Sequence, residues 1–259
     1  MLNRLFDIEG KIALVTGGAQ GIGRMIAEGF ARGGAKVYLT SRRADVAESA
    51  AREISAFAEC VAIPADVSTP GGVVELAREI ERRESRLDVV VNNAGKTWGA
   101  PLESFPDKAW GSVIAVNVQA PFTLVRELLP LLTAGASASD PARVINLGSV
   151  AGRKVEPIEA YSYSASKAAV QHLSRVLAAE LAPRYVTVNT VVPGYFPTSM
   201  TAHLREEEAR ARELLARIPL ARLGSAEDIA GICVFLASRA GAYVTGAELV
   251  VDGGLCGCA

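Results

Sequence analysis

The chain has 259 residues, half of them hydrophobic and 21% charged, with 27 basic residues against 28 acidic. This composition excludes intrinsic disorder, and 24 glycines and 12 prolines are too few for a collagenous or low-complexity chain. A net charge of −1 supplies no global field for recruiting nucleic acid or an anionic membrane, so neither is an expected partner.

At the amino terminus Arg4, Asp7, Glu9 and Lys11 come before any apolar stretch that would form a signal-peptide core, and no run of 18 mainly apolar residues follows. A cytoplasmic location is the expectation. Cys60, Cys233, Cys256 and Cys258 are too few and too unevenly placed for a disulfide framework and are read as thiols. The Cys256-Gly257-Cys258 pair has no further ligands of the usual kind nearby, since His172 and His203 are far away in sequence, and no metal is expected.

Short apolar runs alternate with segments of helical period along the whole chain. Strands are predicted at 12–15, 36–40, 61–63, 89–92, 143–147, 187–191 and 248–251. Helices are predicted at 22–32, 46–58, 73–83, 121–132, 166–181, 206–218 and 226–236. Runs such as Val89-Val90-Val91 suit strands buried on both faces, and the helices between strands are long enough for parallel crossovers. The length allows one large or two small domains; without a second break in the pattern, the reading is a single Rossmann-like doubly wound α/β domain, residues 1–259, with a seven-stranded parallel sheet.

The first strand runs into Thr16-Gly17-Gly18-Ala19-Gln20-Gly21-Ile22-Gly23 and then a helix. Glycines at 17, 21 and 23 permit a tight turn, and the following helix N-terminus offers N–H groups to a pyrophosphate. The spacing Gly-x3-Gly-x-Gly departs from G-x-G-x-x-G, and no P-loop lysine follows. The second strand ends in Ser41-Arg42-Arg43, where a dinucleotide site selective for NAD carries an acid. Two guanidiniums there suit a ribose 2′-phosphate, so NADP(H) is the expected cofactor; the alternative is a pair of solvated arginines at a strand end. Asp66, after the third strand, is placed either to accept from an adenine amino group or to cap the turn before Val67-Ser68.

Ser149 follows the fifth strand, where a hydroxyl meets ligands in such sheets. Its surroundings, Gly148-Ser149-Val150-Ala151-Gly152, do not fit the G-x-S-x-G of a hydrolase. Tyr163 and Lys167 stand four apart on one helix face, an arrangement in which the ammonium, together with a bound positively charged nicotinamide, is expected to lower the phenol pKa toward neutrality. The competing Tyr161 falls on a different face, and His172 reads as a helix-face residue. After the sixth strand, residues 194–218 form a longer segment, predicted to be a substrate lid; its run of Glu206, Glu207, Glu208, Arg210 and Arg212 also fits a solvated helix face.

In that order, and on those elements, the chain resembles the classical short-chain dehydrogenases/reductases over almost its whole length. The glycine turn, the segment Asn92-Asn93-Ala94-Gly95, the turn with Pro193, Gly194 and Thr198, and the Asp252-Gly253-Gly254 end all carry the likeness. The resemblance implies a catalytic tetrad of Asn117, Ser149, Tyr163 and Lys167. Ser149 would orient a carbonyl and Tyr163 protonate its oxygen while the nicotinamide supplies hydride; Lys167 would hold the ribose and Asn117 a water that replaces the proton. It further implies cofactor contacts at Gly17, Gln20, Gly21, Ile22, Gly23, Ser41, Arg42, Arg43, Asp66, Val67, Asn93, Ala94, Gly95, Pro193, Gly194 and Thr198, and a homotetramer. Within the family, the segments 129–146 and 96–99 look most like 3-oxoacyl reductases, including the ketoacyl reductases of rhamnolipid production. The expected substrate is a 3-oxoacyl thioester of coenzyme A or acyl carrier protein, with Trp98, Tyr195, Phe196 and Met200 as an apolar wall. The opening segment 5–11 also looks like sugar and polyol dehydrogenases, the main alternative. A non-catalytic NADP(H)-sensing protein is the remote one, and the presence of Tyr163 and Lys167 speaks against it.

Overall fold

The computed structural model describes residues 2–199, 201 and 208–258. After a short helix, α1 (Leu2–Leu5), the strands are β1 Ile12–Val15, β2 Lys36–Ser41, β3 Cys60–Pro64, β4 Val89–Asn92, β5 Ala142–Leu147, β6 Val186–Pro193 and β7 Glu248–Val251. They form one sheet in the order β3-β2-β1-β4-β5-β6-β7, with every pair parallel. The direction of winding reverses between β1 and β4, which opens a crevice at their carboxyl ends.

Helices α2 (Gly21–Arg32), α3 (Ala44–Ile54), α4 (Pro70–Arg83), α5 (Lys108–Ile114), α6 (Ala120–Ala134), α7 (Tyr161–Leu181), α8 (Glu208–Ala216) and α9 (Ala226–Ala237) make the crossovers. Alternation along the strands sorts the core into two layers. Ala13, Val15, Val89 and Val91 pack with Ile26 and Phe30 of α2, Ile54 of α3, and Ile229 and Cys233 of α9. Leu14 and Val90, pointing the other way, meet Leu76 and Ile80 of α4, Leu124 and Leu128 of α6, and Leu177 of α7. The central strands are therefore covered on both faces, as their β-branched composition requires.

The predicted strands all form, several with one to three extra residues where a neighbour continues the ladder, as at Pro193 opposite Val251. Helix α5 was not anticipated. Gly111, Ser112, Val113 and Ile114 give it little intrinsic helix preference, and it is held by burial of Ala109 and Val113. It continues through a π turn over Ala115–Gln119 into α6, and Asn117 sits in that turn. Of the predicted helix at 206–218, the part at 206–207 lies outside the described residues.

Buried polar contacts fix α7 against the sheet. Asn92 Nδ2 donates to Asn146 Oδ1 at 2.7 Å, and Asn146 Nδ2 donates to Ser174 Oγ at 2.8 Å, linking β4, β5 and α7. At the opposite end of β5 the buried Arg143 donates to the carbonyls of Leu236 and Ser238, both at 2.9 Å, and so holds the end of α9. Among the described residues no helix is long and apolar enough to cross a membrane.

Phe30 is fully buried between α2 and the sheet. Phe30→Ala is expected to cost about 3–5 kcal/mol of unfolding free energy by denaturant titration. A loss below about 1 kcal/mol would contradict the packing described for this layer.

Candidate active site

The turn after β1 is built around Thr16. Its hydroxyl accepts from the N–H groups of Asn93 and Ala94, both at 3.0 Å, and the Asn93 side chain returns a bond to the Thr16 carbonyl at 2.9 Å. The ends of β1 and β4 are thereby clamped together across 77 residues of sequence. Gly17 and Gly21 have φ of +64° and +54°, a region that penalises side chains. At Gly23 an added Cβ would lie 2.3 Å from Asn93 Nδ2 and 2.4 Å from the Gly17 carbonyl oxygen, so only glycine fits. Gln20 precedes α2 without making a side-chain cap, whereas Thr69 caps α4 and Ser225 forms a capping box with Asp228 on α9. The N–H groups at the start of α2 thus face the crevice without competition from a cap, which is what a pyrophosphate needs.

A cleft of about 430 Å³ runs from this turn to α7. It takes in Gly17 and residues 20–22, Ser41 and Arg42, Asp66 and Val67, residues 93–95, Tyr163 and Lys167, and Pro193 and Thr198. Gly23 and Gly194 lie behind its surface as close-packing points, Gly194 against Asp252. Arg43 also lies outside it. Its guanidinium pairs with Asp45 at 2.8 Å and both side chains are 70% exposed, so of the two arginines only Arg42 reaches the cleft. Asp66 lines the cleft, and its Oδ1 accepts from Ser68 N–H at 3.0 Å in the turn. That bond, aided by the field of Arg42 and Lys96, holds its carboxyl below the usual range.

Beyond the cleft, Ser149 caps a 3₁₀ turn, Val150–Gly152, and its Oγ accepts from Ala151 N–H at 3.2 Å. The Ser149 hydroxyl stands near enough to the Tyr163 phenol to favour its charged form. Lys167 Nζ lies 5.7 Å from the Tyr163 ring centroid and donates to the Leu147 carbonyl at 2.7 Å. Asn117 Nδ2 donates to the Lys96 carbonyl at 2.9 Å and to Ser166 Oγ at 2.8 Å, and its Oδ1 accepts from Lys96 N–H. The four residues of the expected tetrad therefore converge where β5, the π turn and α7 meet. Gly95 keeps the space between them open: a Cβ there would stand 3.7 Å from Asn117 Oδ1 and 3.9 Å from Lys167 Nζ.

The electrostatics differ from the sequence-based expectation in one respect. Burial pushes the Tyr163 phenol up, and the nearby Ser149 hydroxyl only partly opposes this. Burial also lowers Lys167 to about 8. The expected depression of the phenol by the ammonium is absent from the protein alone, because Lys167 is itself desolvated and directs its proton to Leu147.

The apolar wall also changes. Phe196 is 2% exposed and belongs to the core, where its ring fills the space a side chain at position 224 would need. Tyr195 packs on Val150, Val192 and Leu255, Trp98 stays partly exposed, and Met200 lies outside the described residues. Thr16, Lys96 and Ser166 were not singled out from sequence. Their partners are distant along the chain, and no local spacing announces them.

A family model described as enoyl-(acyl carrier protein) reductase matches residues 17–256. A rhamnolipids biosynthesis 3-oxoacyl-[acyl-carrier-protein] reductase of Pseudomonas aeruginosa is 46% identical over 249 residues, 96% of this chain and 97% of that one. The chain belongs to the short-chain dehydrogenase/reductase family. The 5-keto-D-gluconate 5-reductase of Escherichia coli is 37% identical over 98% of both chains. Among solved structures, the Pseudomonas aeruginosa RhlG/NADP active-site complex superposes with a TM-score of 0.95 at 45% identity, covering 98% of this chain and 99% of that one.

If Arg42 alone meets a 2′-phosphate, Arg42→Ala is expected to weaken NADPH binding by about tenfold or more, while Arg43→Ala leaves it within about twofold. Fluorescence titration with NADPH and NADH decides this, and equal losses in the two variants would contradict the placement. The depressed Lys167 pKa carries its own sign. Between about 8 and the unfolded value of 10.5 the unfolded chain binds the extra proton, so the penalty for burying the cation is full below pH 8 and is relieved as pH rises. The stability of the cofactor-free protein relative to Lys167→Met should then rise by roughly 1 kcal/mol from pH 7 to pH 9. A flat difference would place the Lys167 pKa outside that window.

Proposed function

We propose that this dehydrogenase/reductase uses NADPH to reduce a 3-oxoacyl thioester to the 3-hydroxyacyl thioester. The observation that carries the reading is the placement of Tyr163 and Lys167, with Ser149 just beyond them, at the inner end of a cleft whose outer end is the glycine turn and Arg42. The names of the 46% identical Pseudomonas reductase and of the NADP-bound neighbour support the substrate and the cofactor respectively. NADPH, when bound, supplies hydride to the carbonyl carbon.

The cradle fits such a dinucleotide. The uncapped start of α2 takes the pyrophosphate, Arg42 the 2′-phosphate, Asp66 the adenine side, and residues 93–95 with Lys167 the nicotinamide ribose. Ser149 donates to the substrate carbonyl oxygen and holds it in reach of the Tyr163 hydroxyl. Tyr163 passes its proton to that oxygen as the alcohol forms. Its raised pKa keeps the phenol protonated at neutral pH, which favours the direction of reduction. Lys167, still largely cationic at pH 7, stabilises the phenolate left behind, and Asn117 holds the Lys96 backbone and Ser166 in register beside it.

We further read residues 1–259 as one catalytic domain, with 194–218 as the segment that covers the substrate; α8 and the buried Leu214 lie in its second half. A homotetramer accords with Phe122 on α6 and Val176 on α7, apolar side chains left exposed on neighbouring helices. A reducing, cytoplasmic setting accords with four free thiols. The thioester carrier is acyl carrier protein or coenzyme A. Ketose or keto-acid reduction is the second reading, favoured by the Escherichia coli relative.

NADPH oxidation should be followed with acetoacetyl-CoA, longer 3-oxoacyl thioesters and 5-keto-D-gluconate. Thioester turnover well above background is expected, and it should fall by roughly 10²–10⁴-fold in Tyr163→Phe with NADPH binding retained. Brisk keto-acid reduction with no thioester turnover would sink the acyl reading. Full activity in Tyr163→Phe would remove Tyr163 as the acid.

A further inference from the structure

Glu156 is a buried carboxylate that the mechanism does not use. Its side chain is 1% exposed and stands on the turn between Ser149 and Tyr163. One oxygen, Oε2, accepts from the Tyr195 hydroxyl at 2.7 Å and from Arg217 Nη2 at 2.6 Å. The other, Oε1, is buried without a hydrogen bond, and its nearest cation is Lys154 at 3.8 Å.

Tyr195 and Arg217 are 22 positions apart and stand at the two ends of the segment that leaves β6 and returns past α8. A single carboxylate oxygen therefore closes the neck of that segment and fastens it to the turn carrying Ser149. Neighbouring contacts brace the same neck: Gly224 N–H donates to the Tyr195 carbonyl at 2.9 Å, and Lys154 Nζ donates to the Leu255 carbonyl at 3.0 Å. Joining the two ends of a loop limits how far they can move relative to the turn that holds them.

We propose that Glu156 is a positioning residue for the carbonyl substrate, acting through Tyr195 and Arg217 to hold the neck of residues 195–217 against the Ser149 turn. The inference rests on the reading that a carbonyl compound is reduced at Ser149 and Tyr163, but the neck can be tested without it. Glu156 is the fixed member of the cluster, whereas Arg217 is one-third exposed and can turn to solvent when its partner is lost. Glu156→Gln is thus the mild variant, and removing Arg217 is harsher because a buried carboxylate loses its main cation.

In the full-length protein, Glu156→Gln is expected to raise KM for the carbonyl substrate by about tenfold, with kcat and the Kd for NADPH within about twofold. Tryptic cleavage after Arg210 and Arg212 should quicken by about tenfold at a nearly unchanged unfolding temperature. Arg217→Met should reproduce both effects and Arg217→Lys restore most of them; if Arg217→Met fails to fold, Tyr195→Phe opens the other half of the neck. Unchanged KM and unchanged cleavage in folded Glu156→Gln would overturn the proposal, and so would parallel losses in KM, kcat and NADPH binding. If no carbonyl compound turns over, the functional reading fails while the cleavage rate still decides whether the neck exists.

Discussion

The clamp between β1 and β4 is the constraint on which the cleft depends. Helices leaving those strands go to opposite faces of the sheet, so the chain parts at their carboxyl ends and leaves backbone polar groups with no ladder partner. Thr16 and Asn93 satisfy these groups mutually, with four bonds shared among Thr16, Gly17, Asn93 and Ala94 in a space too small for a side chain at position 23. Because this network consumes the local donors and acceptors, the uncapped start of α2 is what remains to meet a ligand.

The catalytic end depends on a second polar chain, from Asn92 through Asn146 to Ser174, which sets α7 against β5. A buried lysine is costly, and Lys167 is tolerated because the Leu147 carbonyl at the end of β5 accepts its hydrogen bond at 2.7 Å. The π turn serves the same region. By shifting the helical register at Asn117 it brings that amide to the Lys96 backbone and to Ser166, joining three elements with one side chain. Burial is thus concentrated beside Ser149 and Tyr163, while the outer end of the cleft is built from backbone and an exposed arginine.

Signals with a short range were legible in the amino-acid sequence. The seven strands, seven of the eight crossover helices, the glycine turn and the Tyr163/Lys167 pair all depend on periodicity or on spacings within a few residues. Two local readings failed because tertiary packing overrode them. Phe196 lies close to the cleft in sequence but turns into the core against Gly224, and α5 forms from residues of poor helix preference because Ala109 and Val113 are buried.

The sequence alone determined the doubly wound order of elements and the residue types offered to a dinucleotide and a carbonyl, since strand pairing and turn chemistry are written within each βαβ unit. Only the tertiary structure decided which of those residues meet. Arg42 and Arg43 are adjacent and chemically identical, yet Asp45 draws one away from the cleft. Tyr163 and Lys167 are spaced for mutual influence, yet shared burial raises the phenol and weakens the ammonium. Glu156, Tyr195 and Arg217 share no spacing at all, because a buried charge is paired through space and its partners come from wherever the fold brings a donor.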